Sequence, residues 1–189
     1  MTAPQELRTA RLLLRSFGPE DIPALARLAG AREIAAQTAN VPHPYSEEDA
    51  RNFLANAAEE FRVGRAAVFA ISAPPERELR GAMGLHMQGE HQRAELGYWI
   101  GVPDWGKGYA TEAAAAVVAF GFGTLGLNRI YAHVHAGNAA SQRVLEKIGM
   151  RHEGSSRGHV LKWDRFIDIE NYGMLAEDFQ ASRRARRDE

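Results

Sequence analysis

Cysteine is missing from all 189 residues, which excludes disulfides, thiolate metal sites and a thiol acyl-enzyme in one step. A surplus of charge is missing too. With 23 basic against 24 acidic residues the formal net charge is −1, so no overall field favours nucleic acid or a membrane surface. Long hydrophobic runs are also lacking: none approaches the ~20 apolar residues of a membrane span, and the opening Met1-Thr2-Ala3-Pro4-Gln5-Glu6 has no apolar signal core. These absences predict a cytoplasmic protein, with no membrane or nucleic-acid partner, whose chemistry uses oxygen, nitrogen or a bound cofactor. What is present, 45% hydrophobic and 25% charged residues, suits one domain with a sizeable core. Its expected extent is 1–178. Residues 179–189, with Arg183-Arg184-Ala185-Arg186-Arg187, read as a basic, solvated C-terminal tail.

Along the chain, Leu7 to Phe17 reads as a strand stopped by Gly18-Pro19. Ile22, Leu25, Ala26 and Leu28 fall at helical spacing, and Ser46-Glu47-Glu48-Asp49 is a capping box that opens a helix through Phe53, Leu54 and Phe61. Asn40 to Tyr45, with Pro42 and Pro44, is a stiff loop between them. Ala66–Ser72 and Leu79–Gln88 read as a hairpin across Pro74-Pro75-Glu76-Arg77, and Ala94–Gly101 as the next strand. A helix carrying Tyr109, Ala113, Val117 and Phe120 on its apolar face follows, ended by Gly121, Gly123 and Gly126. Then come a strand, Arg129–His135, a short helix from Asn138 to Lys147 and two last strands between Met150 and Gly173. No internal repeat or interdomain linker is visible.

Gly106-Lys107-Gly108-Tyr109-Ala110 lies between a predicted strand and a predicted helix. Backbone amides at a helix N-terminus form an anion site, glycines let the main chain approach a phosphate with positive φ, and Lys107 adds charge. Such a run is by itself often only a tight connection. Its surroundings say more: Trp105-Gly-Lys-Gly-Tyr-Ala-Thr-Glu-Ala113 resembles the coenzyme A pyrophosphate loop of the GNAT acetyltransferase superfamily, with Trp105 where the family pattern opens on Gln or Arg. Asn138-Ala-Ala-Ser141 and Val144-Leu-Glu-Lys-Ile-Gly-Met150 are similar to that family's Asn-x-x-Ser helix and its Lys-x-Gly-Phe ending. From about Leu7 to Phe179 the chain is most similar to the RimJ/RimL-type N-terminal acetyltransferases.

The resemblance implies an α/β (α+β) single GNAT-like domain: a mixed, mostly antiparallel central sheet, splayed at the acetyl-CoA site and flanked by helices. It implies acetyl-CoA as co-substrate, held by the Tyr98-Trp99-Ile100 strand, by Gly106, Lys107, Gly108, Tyr109 and Ala110, and by Asn138 and Ser141, with no metal. An amide-bearing pantetheine arm can pair with exposed strand edges as an added strand would, and Gly97 inside a strand pattern is a candidate bulge or close-approach point. The acceptor implied is an amine, a peptide N-terminus or a small molecule, shaped by the Asn40–Tyr45 loop. A homodimer is compatible with the family's habits.

Acetyl transfer requires a neutral amine, whereas an α-amine with a pKa near 7.7–8.0 is mostly protonated at pH 7, so a base is expected. Glu95 is the first candidate, by its place on the strand that presents the thioester. Glu112, one turn into the loop helix, suits the helix dipole instead. The family's usual tyrosine acid falls at Leu145, which leaves Ser141 or Tyr172 to protonate the leaving thiolate. Without that tyrosine a non-catalytic acyl-CoA-binding module is the rival reading.

Three other patterns carry less. Gly101 to Lys107 fits most of a nucleotide P-loop, but Gly108 replaces its Mg²⁺-binding Ser or Thr. Gly154-Ser-Ser-Arg-Gly158 matches a hydrolase nucleophile elbow, but a strand follows, and no histidine comes after the aspartates Asp164 and Asp168. His133 and His135 share a strand face, with His86 a conceivable third metal ligand, but nothing fixes that third position.

Overall fold

The computed structural model describes residues 4–75 and 77–185. Arg186 and Arg187 of the basic run, and Glu76 in the expected hairpin turn, lie outside the described residues. Eight strands form one sheet: β1 (Leu7–Arg8), β2 (Leu13–Arg15), β3 (Ala66–Ala73), β4 (Glu78–Gln88), β5 (Arg93–Ile100), β6 (Arg129–His135), β7 (Arg151–Lys162) and β8 (Arg165–Leu175). Their order is β1-β2-β3-β4-β5-β6-β8-β7. Every pairing is antiparallel except β5 with β6. That one parallel contact requires a crossover, and α4 (Tyr109–Gly123) supplies it.

The alternating pattern of the strands sends two sets of side chains to two layers. Phe69, Leu85, Leu96 and Ile130 face α4 and α5 (Ala139–Lys147), where with Val117 and Leu145 they make the main core. Ala70 and Leu79 meet α1 (Ile22–Ala29) and α3 (Glu47–Arg62) on the opposite face. The Ser46 hydroxyl accepts the Asp49 amide and the Asp49 carboxylate accepts the Ser46 amide, so the capping box starts α3 where the sequence places it.

Four features depart from the sequence reading. Leu7–Phe17 is a tight hairpin rather than one strand, because Thr9 turns the chain: its amide donates to the Leu12 carbonyl and its hydroxyl accepts the Leu12 amide. A short helix, α2 (Arg32–Gln37), interrupts the stretch before the proline loop. Gly121 does not end α4 but lies inside it, where a β-carbon would come within 2.7 Å of Ile130 and 2.9 Å of Leu85. Glycine there lets α4 sit down on the sheet. The expected tail begins inside α6 (Ala176–Ala185), whose Phe179 stacks on Phe122 with ring centroids 5.1 Å apart. Among the described residues no helix is long and apolar enough to cross a membrane.

Candidate active site

The parallel ladder between β5 and β6 covers only three pairs, Arg93 with Arg129, Ala94 with Ile130 and Glu95 with Tyr131. Beyond Glu95 the strands part, although β5 continues to Ile100 and β6 to His135. The Gln92 carbonyl accepts the Asn128 amide and the Gly101 amide donates to the Arg80 carbonyl. Even-numbered backbone groups of β5 therefore face β6 and odd-numbered ones face β4. Past the fork this leaves the amides of Tyr98 and Ile100 on an unpaired edge, whereas the Trp99 amide belongs to the β4 ladder. Trp99 accordingly differs from expectation: its side chain packs against the α1 layer. Nor is Gly97 a bulge, since β4 and β5 pair without a break from Gly81–Ile100 to Gln88–Arg93.

The N-terminus of α4 opens beside this fork. Gly106 and Gly108 have φ of 77° and 79°, a conformation that disfavours any residue with a β-carbon. The first backbone bond across the helix start runs from the Glu112 amide to the Gly108 carbonyl. The amides of Tyr109, Ala110 and Thr111 consequently have no backbone partner among the described residues and stand as donors at the positive end of the helix. Lys107 has a different role from the one its sequence position suggests: its ammonium pairs at 2.8 Å with Asp104, which is buried. The cation at the mouth is Arg11. Its guanidinium lies 5.1 Å from the Tyr109 ring centroid and donates to the Lys107 carbonyl at 2.9 Å. The sequence alone gave no sign of this, because Arg11 is 96 residues from Lys107.

Glu112 fixes Arg11 there. Its carboxylate accepts the Thr9 hydroxyl at 2.6 Å, the Arg11 amide at 2.8 Å and the Arg11 Nε at 2.7 Å. Burial pushes the Glu112 pKa up, but these bonds and the guanidinium charge outweigh it and hold the group below its ordinary value. Its expected stabilising role is therefore tertiary as well as helical.

On the α5 side of the fork, the Tyr98 hydroxyl lies 2.7 Å from Ser141 Oγ. Burial pushes the Tyr98 pKa up to about 12, against the opposing Ser141 hydrogen bond, so the phenol keeps its proton. Asn138 caps α5: its Oδ1 accepts the Ser141 amide at 3.0 Å. That bond occupies the acceptor the sequence assigns to a ligand and leaves the amide NH₂ as its donor. Leu145 is fully buried in the core and has no hydroxyl to offer. Tyr172, the other acid candidate, is buried against α5 and its hydroxyl donates to Glu146 at 3.3 Å. It is thus engaged apart from the Tyr98–Ser141 pair.

Glu95 projects from the opposite face of the sheet, with its Oε1 3.4 Å from His133 Nδ1. His86 is its register partner on β4. His135, though on the same strand face as His133, is buried and its Nδ1 meets the Ala36 carbonyl of α2 at 3.2 Å. Among the described residues no three His, Asp or Glu side chains converge on a metal-sized site. The β7–β8 hairpin reaches toward the proline loop, where Lys162 Nζ donates to the Val41 carbonyl at 3.1 Å.

Comparison with known proteins matches these features to one family. Residues 11–151 match the family described as the acetyltransferase (GNAT) domain. YoaA of Bacillus subtilis (strain 168), an uncharacterized N-acetyltransferase, is 34% identical over 170 residues, covering 89% of this chain and 96% of YoaA. The GNAT-family acetyltransferase structure from Bacillus anthracis superposes with a TM-score of 0.81 at 29% identity, covering 92% of this chain and 99% of the other. RimL, a ribosomal L7/L12 α-N-protein acetyltransferase solved with coenzyme A, shares the fold at a TM-score of 0.84 and 18% identity, over 90% of this chain and 98% of its own. With a helix start of open amides set beside a forked parallel strand pair, and with these relatives, the chain belongs to the GNAT family and is an acetyl-CoA-dependent N-acetyltransferase.

Proposed function

We propose that the chain transfers acetyl from acetyl-CoA directly to the α-amine of a protein or peptide N-terminus. The observation that carries the cofactor side is the coincidence of the β5–β6 fork with the unpaired amides of α4. Gly106, Gly108, Tyr109 and Ala110, with Arg11 beside them, would hold the pyrophosphate. The free edge at Tyr98 and Ile100, together with Asn138, would pair with the pantetheine amides. When bound, the co-substrate supplies a thioester carbonyl as the electrophile.

The chain's own groups supply the proton transfers. Glu95 takes the proton from the incoming ammonium, which leaves the nitrogen lone pair to form the new C–N bond. Negative charge developing on the carbonyl oxygen would be met by the Tyr98 or Ile100 amide. As the C–S bond breaks, the Ser141 hydroxyl passes its proton to sulfur and takes up the second proton that the acetylated nitrogen sheds, while the Tyr98 hydroxyl 2.7 Å away holds it in place and keeps its own proton. Leu145 therefore does not by itself make the site non-catalytic.

A polypeptide acceptor is favoured over a small amine by the apolar surface at the hairpin tip. Leu161, Trp163 and Phe166 are exposed beside the loop that Lys162 anchors, and clustered exposed apolar groups of this kind suit a macromolecular contact. Mass spectrometry of products from matched panels of peptides, polyamines, aminoglycosides and amino acids tests this. Acetylation confined to small amines would overturn the acceptor assignment, and binding of acetyl-CoA without turnover on any amine would favour the non-catalytic reading.

A further inference from the structure

We propose that His133 is the positioning residue of Glu95 and returns its proton to solvent after each turnover. This rests on the acetyltransferase reading above and on Glu95 as its base.

Glu95 ends the β5–β6 ladder, paired with Tyr131, and His133 stands two residues further along β6, on the same face and one pleat into the fork. Apart from His133, at 3.4 Å, Glu95 has no ion-pair or side-chain hydrogen-bond partner among the described residues. Both side chains are about equally open to solvent, 38% for His133 and 40% for Glu95. A base so placed can orient toward an acceptor, but it must discharge its proton before the next cycle. His133 offers a nitrogen for that step, and its ring is 6.1 Å from the His159 ring on β7, toward solvent.

The neighbouring charges do not offer an equivalent route. On β5, Arg93 donates to Gln88 and lies over the Tyr131 ring. On β6, Arg129 is paired with Glu153 of β7. From β8, Asn171 faces His133 across the ladder and is neutral. His86, on β4, is level with Glu95 but is not within pairing distance of it. The proton balance is closed: an amine proton moves to the Glu95 carboxylate, then to unprotonated His133 Nδ1, and the imidazolium loses that proton to water, which frees Nδ1 for the next turnover. No other co-reactant is required.

The test uses the full chain, acetyl-CoA and a short peptide with a free N-terminal alanine. His133→Ala and His133→Asn are compared with wild type and Glu95→Gln, with thermal melts as a folding control. The expected result is a fall in kcat of about tenfold or more in both His133 variants, a modest part of what general acid–base groups contribute, at unchanged KM for acetyl-CoA. Added imidazole should restore His133→Ala in proportion to its unprotonated fraction, and should not restore the double variant with Glu95→Gln. A merely structural contact would give no such rescue. Wild-type kcat in His133→Ala, or a loss that imidazole does not repair, overturns the relay while leaving the transferase reading intact. Full activity in Glu95→Gln overturns the base and the relay together. A folded wild type that acetylates no amine overturns the reading beneath both.

Discussion

Replacing Glu112 with Gln should weaken the clamp between the β1–β2 turn and α4, and it should do so only where the carboxylate is ionised. In the wild type one carboxylate accepts the Thr9 hydroxyl, the Arg11 amide and the Arg11 guanidinium. The Gln side chain keeps one acceptor oxygen but turns an NH₂ toward the guanidinium. The loss is one charge-assisted bond of about 1.5–3 kcal/mol, reduced because Arg11 is half exposed, plus about 0.3–1 kcal/mol of helix-dipole interaction. A total near 2 kcal/mol corresponds to about 4–8 °C in Tm for a domain of this size. Because the Glu112 pKa is held down in the fold, its contribution is present above the unfolded value of 4.5 and is lost as pH falls through the lower folded value. Differential scanning calorimetry from pH 7.5 to 3.5 should therefore show a constant gap between wild type and Glu112→Gln down to about pH 5.5, closing below it. An equal gap at both ends of the range would refute the electrostatic clamp and leave only a packing effect.

Three further outcomes follow from the same geometry. Ser141→Ala should lower kcat by about 10²-fold with little change in KM for acetyl-CoA, and Tyr98→Phe should lower it less. Equal, wild-type rates in both would remove the hydroxyl pair from the reaction. Arg11→Ala should raise the Kd for acetyl-CoA, with the increase growing as salt is lowered, and a salt-independent change would contradict a charge role at the helix mouth. His135 is neutral in the fold, its pKa pushed down by burial although the Ala36 carbonyl opposes this. Its stabilisation is present above the unfolded value of 6.5 and lost as pH falls through the lower folded value. His135→Gln should flatten the pH dependence of Tm between the unfolded value of 6.5 and the lower folded value, and an unchanged slope there would show that His135 is not its source.

The order of strands and helices was legible because its signals are local. The Ser46–Asp49 box, the alternation in β3 to β6 and the glycine run before α4 each report on neighbours within a few residues. The misreadings share the opposite property. Whether Gly121 ends a helix or lets it sit on Ile130 and Leu85 depends on a tertiary contact. Lys107 looks like a free phosphate ligand until the fold sets buried Asp104 beside it, and Arg11 looks like an ordinary strand residue until Glu112, 101 residues away, holds it at the mouth. The partnership of Glu95 with His133 also joins two strands that adjoin only through the crossover.

The most direct test of the central claim is isothermal titration of acetyl-CoA into the wild type and into Gly108→Glu. At φ 79° and with Arg11 3.4 Å from an added β-carbon, the glutamate would put negative charge among the α4 amides and draw off the guanidinium beside them. Saturable binding is expected of the wild type, and its loss in a variant that still melts cooperatively. Equal binding by both, or none by the folded wild type, would contradict the assignment of the α4 N-terminus as the cofactor site.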